Sequence, residues 1–339
     1  MTQGFSAADL EAAIAAGIVD RATVNRLQAF AASRGAGHAD EESFRLLTGF
    51  NDIFVTIGLA LFLGALGWLL SQANTWVAAG VVAAAAWALA EVFTRQRRMA
   101  LPSIALLGVF VGALYWLVAG LVTAFDQAGD PKPLAFIVAG LVAAAGAFVH
   151  WRRFHVPITV AAGFAALAVA LAAALSAIWP DILTAHPVFV FLPIGIAAFA
   201  LAMRFDMSDR QRLTRRTDMA FWLHLLAAPL IVHPVVWNTI GVGELTTLSA
   251  MAIIGLFLLL GFVALVVDRR ALLVSSLIYL AYAAGKLISM SGFESSSYGV
   301  AVLAVGAVVL LLSLAWRPLR AALLRLLPAT ILQAVPAAA

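Results

Sequence analysis

The sequence predicts an all-α, polytopic integral membrane protein with about ten transmembrane helices and both termini in the cytoplasm. Of its 339 residues, 64% are hydrophobic and only 11% are charged, whereas a soluble domain carries about 25% charged residues. Long apolar runs recur along the chain, and arginine is confined to alternate polar segments. This composition excludes a soluble enzyme, a disordered chain and, despite the net charge of +4, a nucleic-acid-binding protein.

Residues 1–50 are the only long stretch of soluble composition, and they predict short cytoplasmic helices. Ser6 is expected to cap a first helix and Asp20 a second. The segment 41–52 is expected to lie on the membrane surface as an interfacial helix. Helices this short cannot bury a core alone, so they are expected to pack on the membrane domain, on another subunit or on a cytosolic partner.

Residues 51–316 form the predicted transmembrane domain, because they hold ten apolar runs close to the roughly 20 residues that a spanning helix needs. Backbone groups in lipid must bond internally, so each run is expected to be a helix. The runs cover 53–71, 76–93, 103–125, 134–150, 156–179, 188–203, 219–237, 247–267, 271–290 and 299–316. Residues 317–339 are broken by Pro328 and Pro336, and they are expected to form a basic amphipathic tail on the bilayer surface.

The arginines predict the topology. Of the 21 basic residues, two are lysine (Lys132 and Lys286), and the other 19 are arginine. Every arginine lies in the N-terminal segment, in the C-terminal tail or in every second break between runs, and the remaining breaks hold only Lys132. The positive-inside rule therefore predicts ten spans with both termini in the cytoplasm. The arginine-rich cytoplasmic loops are expected to attract anionic lipid.

The ninth span holds the main candidate binding residues. Five polar side chains are spaced four, three, four and three residues apart, which places them on one helical face: Ser275, Tyr279, Tyr282, Lys286 and Ser289. This face predicts the lining of a substrate cavity, with the Lys286 ammonium as its binding charge. The alternative is that Lys286 extends to the headgroups or pairs with Glu294.

The seventh span is the second candidate. Pro229 and Pro234 each remove a helix hydrogen bond and predict a break that could expose carbonyls to a solute; Pro193 predicts a similar break in the sixth span. His224 and His233 are nine residues apart, which is not a two-ligand metal motif. They are secondary cavity candidates, and the alternative for each is a neutral imidazole bonded to a neighbouring helix.

Other short patterns favour structure over chemistry. Gly108 and Gly112 are spaced for close helix packing, within the fold or between subunits. Glu91 and Arg95 lie one helical turn apart and predict an ion pair. Cysteine is absent, and no catalytic, phosphate-binding or metal-binding motif occurs. The sequence therefore predicts a non-enzyme without cofactor or metal.

The stretch EESFRLLTGFNDIFVTIGLALFLGALGWLL leads from the short helices into the first span. It resembles a family of uncharacterised bacterial inner-membrane proteins, which share a short cytoplasmic helical pair, a Gly-Phe-Asn-Asp lead and many spans. The resemblance is specific over residues 1–70. It implies a location in the bacterial inner membrane, and it carries over no functional residues.

Two functional hypotheses follow. The first is a transporter or permease-like protein for a small solute, because ten spans, a polar stripe and a proline-broken helix occur together. Ten spans could also divide into an inverted five-plus-five repeat. The alternative is a non-transporting scaffold or sensor, whose N-terminal helices and arginine-rich loops dock a cytosolic partner or a second copy of the chain.

Overall fold

Every regular element of the described chain is helical. The computed structural model describes residues 13–26, 50–125, 132–212, 214–240, 246–290 and 297–329, together with Leu332 and Val335. The chain divides into two compact units, Met1–Ser43 with Ala339 and Phe44–Ala338. In the first unit Asp20 caps the helical segment that follows it, accepting a hydrogen bond of 2.5 Å from the Thr23 N–H, as predicted. Ser6 and the interfacial segment up to residue 49 lie outside the described residues.

Among its described residues, the main unit contains ten principal helical segments, numbered here along the chain, and a four-residue helix, Ile182–Ala185, between the fifth and the sixth. The ten are α1 (Phe50–Ser71), α2 (Thr75–Ala90, continued by a π-helical turn over Glu91–Gln96), α3 (Ala100–Phe125), α4 (Pro133–Phe154), α5 (Thr159–Ile178), α6 (Pro187–Ser208), α7 (Arg215–Ile240), α8 (Thr247–Val267), α9 in two pieces (α9a, Ala271–Val274, and α9b, Leu277–Met290) and α10 (Ser297–Leu324). Within the described residues, nine of these segments are long and apolar enough to cross a membrane, and α9b is shorter. The all-α prediction is thereby confirmed for the described residues, whereas the count of ten spans and the cytoplasmic location of both termini stay predictions.

The ninth segment differs from its predicted form. The run 271–290 is divided, because a turn at Ser275 and Ser276 separates α9a from α9b. The Ser276 N–H bonds the Leu273 carbonyl at 3.1 Å, a three-residue step, before α9b begins. The predicted breaks at Pro193, Pro229 and Pro234 are not observed, since α6 and α7 continue through them. A proline removes one donor, and packed neighbours can maintain the helix around it.

Close helix packing occurs at glycines other than the predicted pair. A β-carbon on Gly140 of α4 would lie 2.8 Å from the Ala166 carbonyl oxygen of α5. At Gly108 and Gly112, by contrast, a β-carbon would meet no described atom within 4 Å. The prediction that these two glycines pack closely within the fold is therefore wrong, and only the alternative of packing between subunits stays a prediction.

The last helix extends beyond its predicted end at residue 316. α10 continues through Pro318 to Leu324, so part of the predicted interfacial tail belongs to the long helix. Trp316, Arg320 and Leu324 lie four residues apart and are all buried. One face of this extension therefore packs against protein. Arg210, between α6 and α7, donates hydrogen bonds to the carbonyls of Leu332 and Val335 at 3.0 and 3.3 Å.

An ion pair joins two helices of the first half. Glu91 contacts Arg95 at 3.1 Å, which confirms the predicted pair. It also accepts from Arg153 at the end of α4, with an Oε1 to Nε distance of 2.7 Å and an Oε2 to Nη2 distance of 3.0 Å. The Glu91 and Arg153 side chains are 28% and 40% exposed. Glu91 therefore links α2 to α4 at a partly exposed position.

Candidate functional site

Three ionisable side chains meet where α6, α7 and the turn between α8 and α9a come together. Asp206, His224 and Arg269 are each at most 1% exposed, and they are called the buried ionic cluster below. Burial of Lys, Arg, Asp or Glu is rare in proteins unless the charge is paired. In a membrane protein, such groups are functional candidates by default.

The local sequence places each of these side chains inward. Ala198, Ala202 and Asp206 are spaced four residues apart and lie on the fully buried face of α6. The small alanines let α7 approach closely, so Asp206 meets His224. At the end of α8, Asp268 has a left-handed backbone with φ of 63° and donates its N–H to the Ala264 carbonyl. This tight turn directs Arg269 back into the bundle.

The cluster is held by a forked pair and one imidazole contact. Arg269 donates from Nε to Asp206 Oδ2 at 3.2 Å and from Nη2 to Oδ1. His224 Nε2 lies 2.9 Å from Asp206 Oδ2. Arg269 Nη2 also contacts the Thr217 carbonyl at 3.3 Å. Asp206 is thus the common acceptor that connects three parts of the fold.

The contacts of His224 identify which of its ring nitrogens carries the hydrogen. An ionised carboxylate only accepts hydrogen bonds, so His224 Nε2 carries the hydrogen that Asp206 Oδ2 receives. The other ring nitrogen, Nδ1, is buried and has no hydrogen-bond partner among the described residues. The Phe199 ring lies 5.3 Å from the imidazole. A neutral imidazole leaves an unpaired acceptor at Nδ1, whereas an imidazolium would bury an unpaired donor and a charge.

A second network around Asp268 adjoins the cluster through Arg269. Asp268 Oδ2 lies 3.2 Å from Arg212 Nη1, and Oδ1 lies 3.4 Å from Arg320 Nε. The Trp316 indole N–H donates to Asp268 Oδ1 at 2.9 Å. The side chains of Asp268, Arg212 and Arg320 are 7%, 10% and 5% exposed. The α6–α7 loop, the end of α8 and α10 are therefore tied together beside the buried ionic cluster.

Ser275 is separated from the rest of the predicted polar stripe, whereas Tyr279, Tyr282, Lys286 and Ser289 all lie in α9b. Ser275 lies in the turn before α9b, and its buried hydroxyl has no partner among the described residues. Tyr279 bonds His233 of α7 through its hydroxyl, whereas Tyr282 stacks on Tyr298 of α10 with ring centroids 6.2 Å apart. Lys286 is half-buried. The stripe therefore contacts two different helices.

The two predicted histidines contact different side chains. His224 joins the buried ionic cluster, and His233 joins Tyr279. His224 thus bonds a neighbouring helix, which was the alternative prediction for it. The contact between His233 and Tyr279 unites the two segments that supplied the candidate cavity residues. The alternative partner of Lys286, Glu294, lies outside the described residues.

Asp206 and Arg269 were not predicted as site residues. The sixth predicted apolar run ends at Met203, because Arg204 and Asp206 lower the hydropathy, although α6 continues to Ser208. The four-residue spacing of Ala198, Ala202 and Asp206 was the available signal, since it places the carboxylate on a small-residue face. Arg269 is 63 residues from Asp206 along the chain, and no local pattern links them.

Two further findings bear on function. Among the described residues, no group of three or more His, Asp or Glu side chains could hold a metal ion. Comparison of the chain with protein families, curated proteins and solved structures finds no match.

Proposed function

We propose that this protein is a proton-linked transporter for a small solute in the bacterial inner membrane. In this proposal the chain crosses the membrane ten times, with α9a and α9b forming one divided span and both termini in the cytoplasm. The solute pathway lies beside α7 and α9b, and the buried ionic cluster exchanges the proton. The proposed topology rests on the distribution of the arginines.

The buried ionic cluster is the observation that carries this proposal. A buried ion pair is often no more stabilising than apolar side chains of the same volume, so packing alone does not account for Asp206 and Arg269. His224 shares Asp206 with Arg269, and its Nδ1 has no hydrogen-bond partner among the described residues. A proton that binds His224 or Asp206 changes the charge balance at the contact between α6, α7 and α9a. Proton binding and helix movement are thereby coupled.

α7 connects this cluster to the proposed pathway. His224 and His233 are nine residues apart, which is about 13 Å along a helix. Pro229 lies between them and has no N–H, so the Leu225 carbonyl lacks its usual helical donor. The helix thus carries polar groups from the cluster to the contact between His233 and Tyr279. The divided α9 supplies the discontinuous helix that many transporters place at their substrate sites.

Thiol labelling tests the pathway without knowledge of the solute, because the chain has no cysteine. A membrane-impermeant maleimide is applied to intact vesicles that contain the Tyr279→Cys or the Ile278→Cys variant. Ile278 is 73% exposed on the apolar surface of α9b and is the lipid-facing control. We expect Tyr279→Cys to be labelled much faster than the control. Equal, slow labelling of both would contradict a water-filled pathway at Tyr279.

The proton link is tested with the same label. We expect the labelling rate of Tyr279→Cys, divided at each pH by that of the exposed Asp181→Cys to correct for thiol ionisation, to change as the pH is lowered from about 8 and a histidine gains a proton. The additional substitution His224→Gln, which keeps a hydrogen-bond donor near Asp206 but cannot titrate, is expected to abolish this change. An unchanged pH profile in the double variant would remove His224 from the coupling.

Topology is tested at two exposed positions. Asp181 lies six residues before α6 begins at Pro187, and Ser208 is its last residue, so the two positions flank this helix. We expect Asp181→Cys to be labelled from outside intact cells and Ser208→Cys only after permeabilisation. The reverse pattern would overturn the proposed orientation.

One observation supports the alternative function as a scaffold or sensor. Residues Met1–Ser43, with Ala339, form a compact unit of their own, as an independent docking module would. Deletion of residues 1–40 separates the two functions. If the truncated chain folds and retains pH-dependent labelling at residue 279, the transporter is favoured. The alternative is favoured if Tyr279→Cys is not labelled even in the full-length chain, and if the truncated chain folds but no longer cross-links to a defined partner.

A further inference from the structure

Two adjoining cavities form a site with one apolar and one basic part. A groove of about 290 Å³ lies between α4, α5 and α6, and a cavity of about 430 Å³ lies at the junction of α6 and α7. Leu201 lines both of them. The two cavities, one apolar and one basic, therefore adjoin at this side chain.

The basic part is suited to a phosphate group. It is lined by Leu201, Phe205, Ser208 and two exposed arginines, Arg204 and Arg216. Each guanidinium group can donate paired hydrogen bonds to phosphate oxygens, and the positive charge of the two favours a phosphate diester. The nearby carboxylates are bonded elsewhere: Asp206 pairs with Arg269, and Asp209 accepts from Thr214.

The apolar part is suited to a hydrocarbon chain. Its walls include Ala144, Phe148 and Trp151 of α4, and Gly163 and Leu167 of α5. Ala144 and Trp151 are seven residues apart, so the groove extends about 10 Å along the helix axis. The hydrocarbon core of a bilayer is about 30 Å thick, and the groove therefore covers much of one leaflet. Trp151 lies at the end where tryptophan is common in membrane proteins, near the headgroups.

A buried hydroxyl lies where the headgroup of a bound lipid would join its acyl chain. Thr159 begins α5, lines the apolar groove and is 2% exposed. Its Oγ1 has no hydrogen-bond partner among the described residues. A buried hydroxyl without a partner is costly, and an ester carbonyl just below a lipid headgroup would accept its hydrogen. The α4–α5 and α6–α7 connections lie on the same side of the membrane, because α5 and α6 cross it in opposite directions.

We infer that this combined surface is a specific site for one anionic phospholipid. The phosphate binds between Arg204 and Arg216, an ester carbonyl accepts from Thr159, and one acyl chain occupies the groove beside Leu201. The site is separate from the buried ionic cluster and does not require transport. The arginine-rich loops would thus bind one anionic lipid per chain at this site, with its phosphate at the arginines and its acyl chain in the groove.

Native mass spectrometry of the full-length protein in detergent tests this inference. The probes are phosphatidylglycerol and phosphatidylcholine with identical acyl chains. We expect phosphatidylglycerol to bind at least tenfold more tightly, and Arg204→Gln or Arg216→Gln each to weaken it about tenfold. Arg325→Gln, which removes an exposed arginine outside the site, is the matched control. Equal binding of both lipids, or equal effects of all three variants, would overturn the inference.

Two further variants test the depth of the site. Thr159→Val preserves the shape of the side chain and is expected to weaken both lipids about fivefold. Ala144→Leu fills the groove and is expected to reduce binding of both lipids further. No change in either variant would contradict an acyl chain in the groove, provided that size-exclusion chromatography shows both variants folded.

Inorganic phosphate distinguishes a lipid from a free anion. Phosphate alone is expected to leave the melting temperature of the wild-type protein unchanged. A rise that Arg204→Gln removes, with phosphatidylglycerol and phosphatidylcholine bound equally, would assign the cavity to a soluble anion and overturn the lipid site. None of these outcomes depends on labelling at Tyr279, so this inference and the proposed function fail independently.

Discussion

Replacing Asp206 with asparagine is expected to be among the most destabilising single changes in this protein. The asparagine amide can still accept from His224, and its volume is nearly that of aspartate. It no longer neutralises Arg269, which is 1% exposed. Removing one partner of a buried ion pair costs about 3–5 kcal/mol, because the remaining charge is left uncompensated. The free energy of unfolding, measured in mixed micelles by tryptophan fluorescence, is expected to fall by about this amount.

A second substitution tests the reason for this loss. In the Asp206→Asn background, Arg269→Met removes the uncompensated charge and replaces it with an apolar side chain of similar length. The double variant is expected to recover about 2 kcal/mol or more, since apolar replacements of buried pairs are often neutral or stabilising. The amide oxygen at residue 206 continues to accept from His224, whereas methionine offers no acceptor to the two N–H groups of the new amide, so the recovery is expected to be partial.

Glu91→Gln is the matched control. It removes the same charge from a carboxylate that is also bonded by an arginine, but at a partly exposed position beside Arg153. Exposed pairs contribute little, so this variant is expected to lose far less stability than Asp206→Asn. The reasoning would be refuted if the two variants lost the same stability, or if Arg269→Met worsened the Asp206→Asn protein.

Three further stability predictions use the same unfolding assay. Gly140→Ala places a β-carbon 2.8 Å from a backbone oxygen of α5 and is expected to destabilise the protein, whereas Gly58→Ala, with nothing within 4 Å, is expected to be neutral or stabilising; equal effects would contradict the close packing. Trp316→Phe removes the only indole donor bonded to the buried Asp268 carboxylate among the described residues and is expected to cost about 1–3 kcal/mol, so an unchanged stability would contradict that bond. Tyr279→Phe breaks one interhelical hydrogen bond and is expected to cost only about 0.6 kcal/mol; a loss as large as that of Asp206→Asn would indicate a structural role for Tyr279.

The positions of the helices could be predicted from the sequence because lipid leaves the backbone little choice. A run of apolar residues in a bilayer must bond its own N–H and C=O groups, so its composition alone implies a helix. α1–α8 and α10 accordingly lie within a few residues of the predicted runs, except where a helix continues into charged sequence. α6 extends past Met203 to Ser208, and α10 extends past Trp316 to Leu324, since a charged side chain with a partner can remain in a helix.

Interruptions within the helices were predicted less well than the helices themselves. Pro193, Pro229 and Pro234 were predicted to break their helices, yet α6 and α7 continue through all three. Each proline removes a single donor, and the packing around it determines whether the helix bends or ends. The interruption lies instead at Ser275 and Ser276, where hydropathy alone predicts an unbroken span.

The same holds for the candidate site: individual polar residues could be predicted from the sequence, but their contacts with residues distant along the chain could not. The sequence alone identified His224, His233 and Tyr279 as polar groups in apolar helices, because hydropathy makes such residues conspicuous. It could not show that Asp206 meets Arg269, which is 63 residues away, or that the polar stripe contacts two helices.

Those contacts depend on how each helix is rotated and which helix lies beside it. Small residues such as Ala198 and Ala202 set the approach of α6 and α7, and the left-handed backbone at Asp268 directs Arg269 into the bundle. The sequence by itself thus determined the helical membrane architecture, since backbone hydrogen bonding in lipid requires it. Only the tertiary structure decided which charges are buried together, because burial is a property of neighbours that are distant along the chain.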